Sequence, residues 1–262
     1  MAVKLVEKNG KKYWRLYICE RAYLQCGKVK KLQKNLLYDL SEKDAALRDD
    51  LNFSVPRLMA VKDPLKVVIT NYPEGQVEYL NVELNSEKLE LGERKIPFSN
   101  TIYIEKEDFV LEKPNKKYKR LYLHGEVRLF HAYFIQANNV VYKDNGEIDY
   151  IEATYDPETK SGSGFEARKP NGTIHFVDAN EGVPATFNIF SPMILDEEEG
   201  DFLSKFKENS WEKIQGFVEP YVQSMKPEDK CQFKRLGYYC IDTLSTPDSI
   251  QINEIVPLKG SK

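Results

Sequence analysis

The sequence predicts a mainly β protein of antiparallel barrels or sandwiches in two modules, preceded by a small β/α extension. Three observations carry this. From Lys66 onward, β-branched and aromatic runs with period 2 or continuous apolar character follow one another, among them "KVVIT", "VEYLNVEL", "NTIYIE", "EVRLFHAYFIQ", "IDYIEATY", "ATFNIF" and "CQFKRLGYYCID". The gaps between runs are short and rich in turn residues ("PEG", "HG", "DNG", "KPNG", "NEG", "LG"), too short for the helical crossovers that parallel neighbours need. The polar, glycine-rich stretch "TKSGSGFEARKPNG", residues 159–172, divides the strand-rich region in two.

The first forty residues hold one clear signal. "VKLVEKNGKKYWRLYI" reads as a hairpin around Asn9-Gly10, because this dipeptide tolerates the positive φ angles of the tightest turns. "KVKKLQKNLLYDL" is expected to add a third strand. Lys11, Lys12, Arg15, Lys28, Lys30, Lys31 and Lys34 read either as a patch facing nucleic acid or, the reading favoured here, as a solvated edge whose charge discourages aggregation. A helix is expected over "SEKDAALRDDL", with Ser41 as its cap and Asp44 closing a capping box. A second, short helix is expected over residues 201–209, after the acidic loop "LDEEEG". The resulting division is an N-terminal extension with a connecting helix over residues 1–61, a first β module over 62–158 and a second over 159–262.

Composition narrows the function. The 262 residues carry 41% hydrophobic and 30% charged side chains and a net charge of -3, with mean hydropathy -0.55, as expected of a soluble globular chain. No apolar run approaches the ~20 residues that cross a bilayer, and the opening residues lack the apolar core of a signal peptide, so no membrane role and a cytoplasmic address are expected. A pI of 5.8 argues against a general polyanion binder and leaves nucleic-acid binding to local patches. Cys19, Cys26, Cys231 and Cys240 have neither knuckle nor redox spacing and are read as reduced, buried thiols. His124, His131 and His175 form no metal spacing. There is no phosphate loop, nucleophile elbow or H-E-x-x-H helix, and "GSGFEA" lacks the βαβ context of a dinucleotide site, so no catalytic residue, metal or cofactor is assigned.

Binding remains. "NKKYKRLYLHGEVRLFHAY", residues 115–133, interleaves Lys116, Lys117, Lys119, Arg120 and Arg128 with Tyr118, Tyr122, Phe130 and Tyr133. Cations for phosphate, guanidinium forks for base edges and aromatic faces for stacking are what single-stranded RNA recognition uses. Read as a hairpin about His124-Gly125, the stretch places Lys119, Arg128 and Phe130 on one face and Arg120 on the other. A solubilising, Lys-rich face is the plain alternative.

The segments "LRDDLNFSVPRLMAVKDPLKVVITNY", "GERKIPFSNTIYIEKEDF", "YKRLYLHGEVRLFHAYFIQA", "GTIHFVDANEGVPATFNIF", "IQGFVEPYV" and "CQFKRLGYYCIDT" occur in this order over about residues 47–258. This collinear series resembles the C-terminal anticodon-binding region of the class I glutamine–tRNA ligase family; the residues before about Ser41 carry no segment of that pattern. The resemblance implies two antiparallel six-stranded β-barrels, of the type of a ribosomal RNA-binding protein, that hold the three unstacked anticodon bases in separate pockets. It further implies that Arg57 and Gln232 hold the middle base, a uridine, so that the last strands return toward the first barrel. Lys119 and Arg120 match positions at the third base, with Lys117 where a Gln is often found. Arg128 matches one of two arginines at the first base, and Phe130, which can stack but cannot donate, replaces the other. Asn52 matches a position near the anticodon stem. Plainer roles stand beside these: Arg57 capping a helix, Gln232 as an exposed strand residue, Lys117 and Lys119 as phosphate contacts or free surface charge.

The HIGH and KMSKS-type signatures of the family's ATP-binding domain do not occur. The expectation is therefore a monomeric anticodon-binding region, excised or naturally separate. It would bind the tRNA(Gln) anticodon loop and be inactive alone, with ATP and Mg only in a class I catalytic domain in cis or trans. The alternatives are a ribosomal-type structural RNA-binding barrel, or a protein-interaction module that has lost RNA binding.

Overall fold

A computed structural model describes residues 2–8, 11–17, 40–191 and 209–258, and the chain divides into two compact units, Met1–Leu47 and Arg48–Lys262. In the first unit, β1 (Ala2–Lys8) and β2 (Lys11–Tyr17) form the expected antiparallel pair, with Lys8 opposite Lys11. The expected third strand, Cys19, Cys26, the basic side chains of this extension, the acidic loop at 195–200 and nearly all of the expected helix at 201–209 lie outside the described residues. Helix α1 (Leu40–Asn52) begins one residue before Ser41, which therefore lies within the helix instead of capping it.

The second unit contains β3 (Arg57–Leu58), β4 (Ala60–Val61), β5 (Pro64–Ile69), β6 (Glu78–Glu83), β7 (Glu93–Phe98), β8 (Thr101–Glu105), β9 (Phe109–Val110), β10 (Leu121–Tyr122), β11 (Glu126–Leu129), β12 (Phe134–Tyr142) and β13 (Ile148–Asp156). It continues with β14 (Thr173–Ile174), β15 (Val177–Asp178), β16 (Val183–Phe190), β17 (Trp211–Val218), β18 (Lys230–Phe233), β19 (Gly237–Ile241) and β20 (Ile250–Pro257). Two sheets of seven strands result, ordered β14-β11-β12-β13-β5-β8-β15 and β3-β18-β19-β20-β16-β17-β4. In each, the two edge strands are halves of one extended segment: only His175 and Phe176 separate β14 from β15, and only Met59 separates β3 from β4. Such a segment pairs with both edges and closes the sheet on itself. Each sheet is thus a barrel of six chain segments, as the resemblance implies.

The two barrels share one pairing pattern. Starting from the closing segment, the ladders run parallel, antiparallel, antiparallel, parallel, antiparallel, antiparallel around both rings. Antiparallel pairing dominates, as expected, but two parallel ladders in each barrel modify the purely antiparallel reading. These join segments far apart in sequence (β5 with β13, β3 with β18), where gap length imposes no constraint. In the first barrel the closing segment comes last in the chain, and in the second it comes first. The expected division at 61/62 and 158/159 is therefore corrected: β14 and β15 belong to the first barrel, and the second cannot close without residues 57–61.

The core follows the period-2 pattern of the strands. Leu65, Val67, Ile69, Ile102, Ile104, Val127, Leu129, Ile135, Ile151 and Ile174 fill the first barrel, and the β6–β7 ribbon covers it with Leu80, Val82, Ile96 and Phe98. Leu58, Ala60, Ala185, Phe187, Cys231, Phe233, Tyr239, Ile241, Ile250 and Ile252 fill the second. Within the closing segment, Leu58 and Ala60 enter the second core while Met59 between them enters the first. Alternation across one short strand thus welds the barrels together. Tyr103 stacks on Phe217 across the same seam at 4.4 Å, and buried Arg94 pairs with buried Glu219, which also accepts the Met59 N–H at 2.9 Å.

Candidate nucleic-acid interface

Asn52, Arg57 and Gln232 come from three separate segments and meet. Arg57 and Gln232 are register partners on parallel β3 and β18, and the Gln232 N–H donates to the Pro56 carbonyl at 2.9 Å. Because Leu58, Cys231 and Phe233 face the second core, alternation turns Arg57 and Gln232 to the outside of that barrel. Asn52 ends α1, and its Oδ1 accepts from Arg57 Nη2 at 3.1 Å and from the Tyr238 hydroxyl at 3.3 Å. Ser86 accepts from Arg57 Nη1 at 2.9 Å, and Glu87 lies 3.8 Å from Nη2. Arg57 also reaches the Asn52 carbonyl at 3.4 Å, so it caps the end of α1, the plainer role considered for it.

Two donors in this cluster are unspent. Arg57 Nε is buried without a hydrogen-bond partner, and among the described residues the Gln232 side-chain amide has none either, although Gln232 is only 9% exposed. Gln232 is therefore not the exposed strand residue of the plainer reading. The Arg57 Nε–H and the Gln232 amide, unpaired on neighbouring register positions, offer a donor and a donor–acceptor group of the kind that the edge of a planar base pairs with.

The stretch 115–133 is not a hairpin. β10 pairs in parallel with β9, whereas β11 pairs with β12 and β14, so Lys116–Arg120 sit in an irregular loop and the two-face division of their charges does not arise. The reason is local: His124 takes φ 66°, and the Gly125 N–H closes a tight turn on the Tyr122 carbonyl, steering β11 away from β10. The loop has its own framework. Asn115 Oδ1 accepts the Lys117 N–H at 2.9 Å, and Asn171 Nδ2 donates to the Arg120 carbonyl at 2.7 Å.

Within that loop the cations differ in kind. Lys117 and Lys119 are exposed, and among the described residues their amines have no partner, which suits mobile phosphate contacts. Arg120 is fixed: Nη1 reaches the Glu107 carbonyl at 2.9 Å and its carboxylate at 3.1 Å, and Nε lies 3.3 Å from Asp108. Asp108 is fully buried and also holds both terminal nitrogens of Arg235 from the second barrel. Burial works against the Arg235 charge, but Asp108 more than offsets it and holds the guanidinium pKa above its ordinary value. One carboxylate thus ties the loop to the β18–β19 turn.

Arg128 stands apart from both groups. Its guanidinium lies 4.3 Å over the Phe134 ring and donates to the Thr159 carbonyl and Ser161 hydroxyl at 3.1 and 3.0 Å, while burial pushes its pKa down. Phe130, two residues on, packs against the first core.

Comparison with known proteins follows this geometry closely. Residues 55–156 match the family described as tRNA synthetases class I (E and Q), anti-codon binding domain, and residues 173–242 match a second domain of the same description. The chain belongs to this family. The first match spans β5–β13 of the first barrel and the whole closing segment of the second; the next begins at β14 and ends just after β19. Among curated relatives, the glutamine–tRNA ligase of Clostridium perfringens is 49% identical over 220 residues, 82% of this chain and 40% of that protein. That of Clostridioides difficile is 45% identical over 251 residues, 94% and 45%, and that of Vibrio cholerae (strain O395) is 40% identical over 240 residues, 90% and 43%. The chain therefore spans less than half the length of these relatives. The match over 251 residues also takes in part of the first forty, correcting the reading that they stand outside the pattern.

In this anticodon-binding family member, the residues that sequence reasoning passed over are those that organise the candidates. Tyr238 and Ser86 orient Asn52 and Arg57, and Asp108 with Arg235 orients Arg120. Lys234 and Arg235 lie in "CQFKR" beside Gln232 and were open to notice as a charged pair adjacent to a candidate. Asp108 carried no signal, because nothing local marks a carboxylate that two distant arginines will share.

Proposed function

We propose that this chain recognises the anticodon loop of a glutamine-specific tRNA as the RNA-binding part of a class I glutamine–tRNA ligase. ATP-dependent activation of glutamine then belongs to a class I catalytic domain acting in cis or trans. The observation that carries this reading is the convergence of Asn52, Arg57 and Gln232 on the outer side of the second barrel, with Arg57 Nε and the Gln232 amide left unpaired. On this reading Arg57 and Gln232 bind the middle base by its hydrogen-bonding edge, and Arg120 and Lys119 serve the third. Lys117 adds phosphate contact, Arg128 serves the first base from its seat over Phe134, and Asn52 holds Arg57 beside the stem.

Filter binding of tRNA transcripts that differ only in the anticodon tests the proposal. Glutamine anticodons should bind more tightly than unrelated ones, and equal affinity for all would refute it. Arg57→Ala should lose about 1–3 kcal/mol of discrimination at the middle base. Lys117→Ala should instead weaken every RNA alike and flatten the salt dependence.

A further inference from the structure

Lys234 follows Gln232 by two residues, and its N–H still donates to the Leu58 carbonyl at 2.9 Å, so it shares the outer face of the second barrel with Arg57 and Gln232. Its amine is half-buried where the barrels meet. It lies 4.9 Å over the ring of Phe130 and 3.1 Å from Nε2 of His131, both from the first barrel. His131 is held at φ 61°, a left-handed conformation that few non-glycine residues adopt and that constrained, functional segments tolerate.

Two guanidiniums and two carboxylates act on this amine, but no described carboxylate pairs with it directly. Among the described residues no carboxylate oxygen lies within the 4.0 Å of an ion pair. Glu83 and Glu219 both act on Lys234 from a distance; Glu219 is already engaged by Arg94 and the Met59 N–H, and among the described residues Glu83 makes no ion pair. Arg57 and Arg94 add positive charge, against which Glu83 and Glu219 act from beyond pairing distance. Burial first, and these arginines after it, press the ammonium pKa below its ordinary value. An ammonium has three N–H donors: His131 Nε2 accepts one, the π face of Phe130 receives the charge, and a donor remains without an acceptor. A solubilising lysine would extend into water. This one is held in place, beside two unpaired groups of the candidate middle-base site.

We infer that Lys234, clamped by Phe130 and His131, is a further RNA-binding residue that contacts a phosphodiester oxygen of the anticodon loop next to the site of Arg57 and Gln232. A phosphate is the group that neutralises an unpaired cation among other cations, and it needs no particular base. Phe130 thereby acquires a role in a cation site: its ring steers the lysine. The inference rests on the anticodon-recognition reading only for the identity of the RNA.

The test compares the wild-type chain, Lys234→Met and Lys234→Arg in binding to anticodon stem-loop RNAs, some with a glutamine anticodon and some with other bases, across a salt titration. Lys234→Met should weaken all of these RNAs about equally, roughly tenfold, and reduce the slope of log K against log salt by about 0.7, the contribution of one single-stranded phosphate. Lys234→Arg, which keeps the charge, should retain most of the affinity. Matching urea midpoints for the variants establish that binding is being compared between folded proteins. Unchanged affinity and slope for Lys234→Met, alongside wild-type discrimination between anticodons, overturns the inference and leaves the proposed function intact. Loss confined to one base identity with unchanged slope overturns it as well. Equal binding of all anticodons by the wild type refutes the proposed function, while a lower slope for Lys234→Met would still support the phosphate contact.

Discussion

His131 sits at the centre of the chemistry that single residues contribute. Burial first and the Lys234 ammonium second push its pKa from an ordinary 6.5 down to about 4, so the folded protein holds the neutral ring that Lys234 donates to. Glu83 acts against this shift and Arg94 with it. The unfolded chain takes up a proton below pH 6.5 and the folded one only near pH 4, so stability present above 6.5 is lost as pH falls through this window. Urea midpoints of the wild type should drop more between pH 7 and pH 4 than those of His131→Asn, a residue that tolerates the positive φ. An equal drop would show that other groups set the slope. Arg57 and Gln232 were legible as candidates from their segments, since their residue types suit base recognition. Their unpaired donors were not, because pairing depends on neighbours brought in from α1, β3 and β18.

At the scale of elements, the basic loop before β10 is held by a turn that precedes β14. A Cβ added to Gly172 would meet the Lys119 carbonyl oxygen at 1.8 Å. Gly172 also accepts the Arg128 N–H at 2.9 Å, so it lies between two groups of candidate residues. No flexible side chain can yield there, because the obstacle is backbone. Gly172→Ala should therefore displace the loop carrying Lys117, Lys119 and Arg120, at a cost of about 1–3 kcal/mol in stability. Denaturant melts and RNA binding together test this: a variant of unchanged stability and affinity would show that the contact is slack. The glycine of "KPNG" was visible in the sequence as a turn signal, while its packing against the backbone of a loop about fifty residues earlier was not.

For the whole molecule, the seam between the barrels is decisive. Arg94 and Glu219 are almost wholly buried, and Glu219 also caps the Met59 N–H in the closing segment of the second barrel, while the Met59 side chain packs in the first. Removing one member of a buried pair leaves an uncompensated charge, so Arg94→Ala should lose about 3–5 kcal/mol. Because the segment 57–61 serves both barrels, they should unfold in one transition, monitored by calorimetry; a separate transition of one barrel would contradict the weld. The sequence alone determined the strands, the hairpin at Asn9-Gly10, the presence of α1 and the residue types suited to RNA, because side-chain alternation and turn chemistry act over a few residues. Only tertiary structure decided how the sheets close, which strands pair in parallel, that residues 115–133 form no hairpin, and that Asn52 and Arg57 meet beside Gln232 and Lys234. These features depend on contacts between segments up to about two hundred residues apart, and local periodicity carries no record of which distant edge a strand will meet.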